Sequence, residues 1–142
     1  MIVGAGGHAR VVAAAALDAG LKLKGFIDLN FKGNKEEILG FPVLGGLSVL
    51  DEYNLSEISV AVAVGDNGDR AKLFSDLKNK GFDMPTIIHP TAILSKHAII
   101  GQGCFINCGA IVNAGAEIGD NCIINAGAIV EHEDRIGKNC HL

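Results

Sequence analysis

The sequence predicts two domains of different fold class, an α/β domain over residues 1–88 and an all-β domain over residues 89–142. Three observations support this prediction. Strand-like and helix-like segments alternate in the first part, and glycines cluster after its first strand. From Leu94 onward, an aliphatic residue recurs at every sixth position. A period of six residues is typical of a parallel β-helix, in which three short strands form one coil of about 18 residues.

The first domain begins with the pattern of a βαβ unit. The segment MIVG is a short apolar strand, residues His8 to Ala19 form an alanine-rich helix, and LKGFID is a second strand. After a stretch rich in glycine around GFPVLGGL, the apolar run ISVAVAVG predicts a buried strand. The unit is therefore expected to be Rossmann-like, with its strands parallel.

A second helix and one more strand are expected before the repeats begin. The segment DNGDRAKLFSDLKNKG has helical periodicity, with Asp66 or Asn67 as its N-cap and Gly81 at its end. The segment TIIHP then predicts a strand that ends at Pro90. We expect this strand to complete the first domain.

The six-residue period continues to the end of the chain. Nine successive positions are all aliphatic: Leu94, Ile100, Ile106, Val112, Ile118, Ile124, Val130, Ile136 and Leu142. The residue four positions after each of the first eight is small, except at Asp134: Ala98, Cys104, Ala110, Ala116, Cys122, Ala128 and Cys140. We expect the aliphatic side chains to fill the inside of a prism and the small ones to fit its corners. Residues 18 apart then stack at about 4.8 Å.

Cysteine spacing predicts core thiols. Cys104, Cys122 and Cys140 are 18 residues apart and would form one inward ladder, whereas Cys108 lies outside this phase. Thiols on a single wall lack the tetrahedral geometry of a zinc site, so no metal site is expected from them. A reducing compartment also favours free thiols.

Composition excludes some classes of function. The formal net charge of -4 offers no basic surface for a nucleic acid. The longest apolar run, Val11 to Leu17, is far shorter than the roughly 18 residues of a membrane span, and no signal segment opens the chain. We therefore predict a cytoplasmic protein that binds neither nucleic acid nor membrane.

The glycine-rich opening GAGGHARVV predicts a phosphate-binding loop. Gly4, Gly6 and Ala9 have the G-x-G-x-x-G/A spacing between a strand and a helix, and Asp28 ends the next strand. Glycines let the backbone approach a diphosphate at the helix N-terminus, and the carboxylate can bind ribose hydroxyls. Fewer than 90 residues precede the repeats, which favours one nucleotide diphosphate over NAD. A purely structural turn is the alternative.

A charged segment interrupts the repeats. Glu131, His132, Glu133, Asp134 and Arg135 are consecutive, while the repeats elsewhere avoid charge. Imidazole accepts a proton near neutral pH, and a neighbouring carboxylate favours its charged form. This segment is therefore a candidate site for acid–base chemistry at His132, with a solvated loop as the alternative.

The spacing of two histidines predicts an oligomer. His132 and His141 are nine residues apart, which is half of one 18-residue coil. In one chain they would lie on different sides of the prism. They can share a site only if His141 comes from a neighbouring subunit.

Taken together, these motifs resemble the bacterial sugar acetyltransferases grouped with sialic acid O-acetyltransferase and the UDP-4-amino-sugar N-acetyltransferases. The resemblance is carried by GAGGHARVV, GFID, VAVGDNGDRAKL, IIHPTA, the hexapeptides and INAGAIVEHEDRIGKNCHL. It implies that the β-helix is left-handed. It also implies acetyl transfer from acetyl-CoA, without a metal, to a sugar or nucleotide-sugar such as a UDP-sugar or sialic acid. The expected assembly is a homotrimer with active sites between subunits.

The resemblance also implies roles for individual residues. His132 matches the general base, with Glu133 and Glu131 as its acidic neighbours. Asn125 and His141 match positions that line the acetyl and acceptor site. The remaining matches fall in the sugar-nucleotide pocket of the first domain: Gly4, Gly6, Gly7, His8, Asp28 and Asn67.

The chain departs from the family pattern in three places. Leu29 stands where many relatives have a second acidic residue, and Asp134 and Arg135 replace an uncharged pair. The chain also stops at Leu142, where relatives continue through further coils that form much of the acetyl-CoA groove. The β-helix domain is therefore expected to be truncated at its C-terminus.

Two other functions are compatible with the sequence. One is a non-catalytic subunit that binds sugar nucleotides or serves in assembly. The other is a trimeric β-helix zinc enzyme using His97, His132 and His141 from adjacent chains, since a catalytic zinc site needs three converging ligands.

Overall fold

The computed structural model describes residues 1–142 as an α/β unit followed by a parallel β-helix. The elements of the α/β unit are β1 (Ile2–Val3), α1 (Gly7–Asp18), β2 (Phe26–Ile27), β3 (Glu37–Ile38), β4 (Phe41–Gly45), a 3-10 helix (Leu47–Glu52), β5 (Ala61–Val62) and α2 (Asn67–Asn79). Its five strands form one sheet with the order β3-β4-β2-β1-β5. All neighbouring pairs are parallel except β3 with β4.

Small side chains let α1 pack closely on the sheet. Ala9, Val12, Ala13 and Ala16 of this helix are buried in one cluster with sheet residues such as Phe26. The second helix, α2, has a side-chain cap, because Asp66 Oδ1 accepts a hydrogen bond from the Asp69 amide at 2.9 Å. A helix with such an N-cap begins at a defined residue.

The repeats form the predicted β-helix. Its strands are β6 (Ile87–Ile88), β7 (Ile93–Leu94), β8 (Ile99–Ile100), β9 (Phe105–Ile106), β10 (Ile111–Val112), β11 (Glu117–Ile118), β12 (Ile123–Ile124), β13 (Ile129–Val130) and β14 (Arg135–Ile136). They make three parallel sheets, β6-β9-β12, β7-β10-β13 and β8-β11-β14. Ile111 pairs with Ile93 on one side and Ile129 on the other, so the register is 18 residues. The predicted fold class is confirmed: an α/β domain precedes a β-helix, for which the six-residue period predicted the coils and the family resemblance implied the left-handed winding.

The inside of the prism is filled as the repeat predicts. Its buried cluster consists of the aliphatic and the small positions: Cys104, Ile106, Ala110, Val112, Ala116, Ile118, Cys122, Ile124 and Val130. All four cysteines are free thiols, and Cys108 is exposed. The inward thiols donate to main-chain oxygens of the prism, for example Cys122 to Gly137 at 2.9 Å.

The corners of the β-helix follow the same period. A left-handed backbone conformation with φ between 59° and 77° recurs at every sixth residue: Gly103, Gly109, Gly115, Asn121, Gly127, Glu133 and Asn139. Glycine and asparagine adopt this conformation readily, whereas other residues do so at a cost. Glu133 is the exception in this series.

One outer face of the β-helix is covered by the α/β unit. The outward residues Ile87, Phe105 and Ile123 of the sheet β6-β9-β12 are buried in the same cluster as Ala9 and Val12 of α1. The two parts therefore pack against each other through an apolar contact, and α1 lies between the sheet and the β-helix.

Two segments differ from the sequence prediction. The strand in TIIHP, which we assigned to the first domain, is β6 and pairs with β9 of the β-helix. Ile88 lies six residues before Leu94, so it belongs to the aliphatic series, and the proposed division at residue 88 falls inside the first coil. The glycine-rich stretch GFPVLGGL contains β4, because Phe26 of β2 pairs with Val43 there. Neither helix of the chain is long and apolar enough to span a lipid bilayer.

Candidate functional site

A crevice opens at the carboxyl ends of β1, β2 and β5. Its volume is about 270 Å³. The strand β1 lies between β2 and β5, so the connection after β1 leads to one side of it and the later strand β5 is added on its other side. Ligands of open α/β sheets bind at such switch points. The crevice is lined by Gly4, Ala5, Gly6, Gly7, His8, Asp28, Leu29, Asn30, Ala63, Val64 and Gly65.

The glycines of the crevice have two different roles. Gly4 has φ 126°, and a Cβ atom there would lie 2.5 Å from the Ala63 carbonyl oxygen, so the backbone requires glycine. Gly6 and Gly7 face open space, with no atom within 4 Å of a Cβ. Gly6 is the N-cap of α1, and no side chain caps that helix. The amides of its first turn are thus left for an anion.

Asp28 lies at the entrance of the crevice with its carboxylate partly engaged. Asp28 Oδ1 accepts a hydrogen bond from the Asn30 amide at 2.9 Å. A second cavity of about 390 Å³ continues from Gly6 and Asp28 toward Lys32 and Glu36. The two cavities together offer room for a ligand larger than a diphosphate.

Asn67 does not line the crevice. Asn67 Oδ1 accepts a hydrogen bond from Arg70 Nη2 at 2.7 Å. Of the six residues predicted for the sugar-nucleotide pocket, five line the crevice, and Asn67 faces the buried guanidinium instead.

His8 connects the crevice to the β-helix. Its half-buried ring lies 5.7 Å from the ring of Phe105 and 6.3 Å from the ring of His141, measured between centroids. Burial, and then the nearby His141 and Arg70, lower the pKa of His8 below its ordinary value. The imidazole of His8 is therefore neutral at neutral pH.

A series of hydrogen bonds orients His141. Asn107 Oδ1 accepts from the Cys108 amide at 2.7 Å, and Asn107 Nδ2 donates to Asn125 Oδ1 at 2.9 Å. Asn125 Oδ1 also accepts from the Ala126 amide at 2.9 Å. The Asn125 amide group is thereby fixed with its Nδ2 toward His141 Nε2, at 3.3 Å. Since Nδ2 can only donate, Nε2 accepts, and the neutral ring carries its proton on Nδ1.

The charged corner formed by residues 131–134 has the same number of residues as the other corners, because Glu117 still pairs with Arg135, 18 residues later. Glu131 Oε2 accepts from Asn113 Nδ2 at 3.0 Å, and Asp134 Oδ2 accepts from the Glu131 amide at 3.1 Å. His132 is 76% exposed and Glu133 86% exposed. His132 Nδ1 lies 3.9 Å from Glu133 Oε2, too long for a hydrogen bond but close enough for an ion pair once the ring is charged. Within one chain, Glu133 does not fix the tautomer of His132.

The structure brings together one part of the predicted site and leaves another apart. His8, Asn125 and His141 meet where α1 contacts the β-helix. No hydrogen bond or ion pair joins His132 to any of them. No group of three histidine, cysteine, aspartate or glutamate side chains converges as a metal site within the chain.

Comparison with known proteins identifies both parts of the chain. A sequence model of the PglD N-terminal domain matches residues 1–77, and a model of the bacterial transferase hexapeptide, with six repeats, matches residues 97–132. The first match covers more than half of the chain. The chain belongs to the PglD N-terminal domain family.

The relatives of this PglD-type chain include sugar acetyltransferases. UDP-N-acetylbacillosamine N-acetyltransferase of Bacillus subtilis (strain 168) is 38% identical over 118 residues, which cover 74% of this chain and 49% of that protein. The chain thus spans about half the length of this curated relative.

Two solved structures have the fold of this PglD-type chain. The acetyltransferase domain of PglB from Neisseria gonorrhoeae FA1090 is 34% identical with a TM-score of 0.89, and the match covers 99% of this chain and 68% of that one. PerB from Caulobacter crescentus, in complex with CoA and GDP-perosamine, is 36% identical with a TM-score of 0.91, with 99% and 66% covered. The predicted family is confirmed.

Sequence reasoning missed two residues whose hydrogen bonds organise the candidate site, Arg70 and Asn107. Arg70 lies on the buried side of α2, four residues before Phe74 and seven before Leu77. A cation at a position of the apolar stripe could have been recognised in the sequence as a buried charge. Asn107 lies 18 residues before Asn125 and 18 after His89. His89, Asn107 and Asn125 therefore form a column of polar residues, each directly after an aliphatic residue of the repeat, and this column could have been recognised in the sequence.

Proposed function

We propose that the chain transfers the acetyl group of acetyl-CoA to the amino group of a nucleotide-linked sugar, with His132 as the general base. The observation that carries this proposal is the exposed imidazole of His132 among carboxylates, at a corner of the β-helix where glutamate takes the left-handed position that is glycine or asparagine in the other corners. The relatives of the chain include N-acetyltransferases, which supports the reaction type.

In this reaction, the sugar amine attacks the thioester carbonyl and forms the new C–N bond. His132 removes a proton from the amine nitrogen, and the negative charge of Glu133 stabilises the resulting imidazolium. When the C–S bond breaks, the imidazolium returns the proton to the CoA thiolate. Glu131, held by Asn113, keeps a second carboxylate beside the ring.

The crevice of the α/β unit supplies the acceptor site. The free amides at the N-terminus of α1 suit a diphosphate, and Asp28 suits ribose hydroxyls. His8 and His141 lie between this crevice and the β-helix. We therefore infer that the sugar extends from the crevice toward these histidines, whether it is carried by UDP or by GDP.

A homotrimer would complete the active site. The sheet β7-β10-β13 presents an apolar outer column in which Ile93 is 63% and Ile129 is 55% exposed. The matching column of the sheet β8-β11-β14 instead contains an ion pair between Glu117 and Arg135. We propose that the apolar column is the subunit contact, and that it brings His132 of one subunit to His141 of the next. A cytoplasmic location remains a prediction from the sequence.

The test is release of the CoA thiol from acetyl-CoA in the presence of a UDP-4-amino sugar, GDP-perosamine or sialic acid. We expect H132A to lower the turnover rate by roughly 10²–10⁴-fold, the usual contribution of a general base. H97A is the matched control, because His97 is also an exposed histidine of the β-helix. Equal rates for the unmodified protein and H132A would contradict the assignment of the base.

Two further measurements separate the other two functions that the sequence allows. Calorimetric binding of nucleotide sugars without binding of acetyl-CoA would indicate a binding subunit. Stoichiometric zinc in the purified protein, with loss of activity on chelation, would indicate the zinc enzyme.

A further inference from the structure

The side chain of Arg70 is the most deeply buried charge of the chain. It is only 1% exposed, and no carboxylate forms an ion pair with it. A buried cation without a counter-ion is costly unless every donor is satisfied. Burial lowers the pKa of Arg70, but arginine starts so far above neutral pH that the group stays charged.

The hydrogen bonds of Arg70 join the two parts of the molecule. Its Nη1 donates to the carbonyls of Val64 at 3.2 Å and Gly65 at 3.1 Å, which line the crevice. Its Nε donates to the Asn121 carbonyl at 3.2 Å, and its Nη2 donates to the Asn139 carbonyl at 2.9 Å. These last two acceptors are corners of neighbouring β-helix coils.

Two further contacts link Arg70 to predicted site residues. Nη2 donates to Asn67 Oδ1 at 2.7 Å, and it lies 3.4 Å from the Cys140 carbonyl, directly before His141. A planar guanidinium with donors in fixed directions holds all these acceptors at once, which a lysine ammonium with three donors cannot do.

We propose that Arg70 is a positioning residue that sets the crevice of the α/β unit in register with the β-helix coil carrying His141. It does not touch substrate. It fixes the Val64–Gly65 wall of the crevice on one side and the Asn139–Cys140 corner on the other. This inference rests on the proposed function for its effect on turnover, but its effect on nucleotide binding is independent of catalysis.

The experiment compares the unmodified protein with R70K and with L77V. Leu77 is a buried residue of the same helix that contacts the apolar core of the α/β unit, so L77V is a control for a general loss of stability. Calorimetry measures the Kd of the unmodified protein for UDP and for GDP. The variants are then compared by their Kd for the nucleotide that binds more tightly. We expect R70K to weaken that binding about tenfold, as for the loss of one or two charged hydrogen bonds, and L77V to leave it unchanged.

Kinetics extend the comparison where acetyl transfer is observed. We expect R70K to raise KM for the nucleotide sugar and to lower kcat, while KM for acetyl-CoA stays the same. Equal UDP or GDP affinity for R70K and the unmodified protein, or equal weakening by L77V, would overturn the proposal. Normal nucleotide binding by the unmodified protein without any acetyl transfer would instead contradict the proposed function alone.

A measurement on the unmodified protein covers the case in which R70K does not fold. The Arg70 Nε–H signal in a ¹⁵N NMR spectrum reports the guanidinium without any substitution. Because Arg70 holds the crevice wall, we expect this signal to shift when UDP or GDP saturates the crevice. A signal that stays in place at saturation would overturn the proposal.

Discussion

At the scale of single residues, the site combines backbone strain with unusual protonation. Glu133 adopts φ 62° at a corner where the equivalent residues of other coils are glycine or asparagine. His8 is kept neutral in a half-buried position between a glycine loop and a second imidazole. Left-handed backbone at a glutamate and a half-buried titratable ring both carry an energetic cost, and such costs are typical of functional sites.

Replacement of Glu133 separates conformation from charge. E133N provides a residue that tolerates the left-handed conformation, as Asn121 and Asn139 do at equivalent corners. We expect E133N to raise the free energy of unfolding by about 0.5–1 kcal/mol and to lower the rate of acetyl transfer. E133Q removes the charge but keeps the strain, so it should lower the rate without a gain in stability. Urea unfolding and thiol release measure both effects; a stability gain in E133Q equal to that in E133N would exclude relief of strain.

The lowered pKa of His8 predicts how stability depends on pH. The unfolded chain binds a proton at His8 near pH 6.5, whereas the folded chain resists it because of burial and the nearby His141 and Arg70. The contribution of a neutral His8 is therefore present above pH 6.5 and is lost as the pH falls toward the lowered value. We expect H8N to lose less stability than the unmodified protein between pH 7.5 and pH 5.5, measured by urea unfolding. Parallel losses in the two proteins would contradict this prediction.

At the scale of elements, the loop between β1 and α1 forms the crevice with glycines that serve different purposes. Gly4 is required by the close approach of the Ala63 carbonyl, while Gly6 leaves open space at the start of α1. Gly4 thus serves the packing of the sheet, whereas we propose that Gly6 leaves room for a bound diphosphate. Substitution by alanine distinguishes the two roles.

We expect G4A to destabilise the protein by about 2–4 kcal/mol, because a methyl group there would overlap backbone at a positive φ. G6A should change the free energy of unfolding by less than about 1 kcal/mol, because a methyl group there meets no protein atom. It should nevertheless weaken the binding of UDP or GDP, since the backbone can no longer approach a diphosphate. Thermal unfolding and calorimetry on the two variants test this; unchanged nucleotide affinity in G6A would place the diphosphate elsewhere.

At the scale of the whole molecule, local periodicity predicted the fold better than it predicted the contacts between its two parts. The period of six predicted the prism, its inward thiols and its 18-residue register, because every coil buries the same aliphatic and small positions. The strand β4 was missed because its stretch, with Pro42 and three glycines, has the composition of a turn. Arg70 was missed because its partners are distant in sequence, with Asn139 lying 69 residues away. Asn107 was missed because its side-chain partner Asn125 lies on the next coil, 18 residues further along. The six-residue period also does not predict how subunits are arranged.

A site shared between subunits predicts complementation between two inactive variants. H132A lacks the proposed base, and H141A lacks the histidine that Asn125 orients, so each protein alone should be inactive. Co-expression of the two chains with different affinity tags, followed by purification on both tags, yields mixed oligomers. If each site takes His132 from one subunit and His141 from the next, about a third of the interfaces in mixed trimers that carry both tags pair two intact histidines. Thiol release by the mixed oligomers, absent from either variant and from a co-purified pair of H132A chains, would verify the shared site. Complete inactivity of mixed oligomers that bind nucleotide normally would place both histidines of each site within one chain.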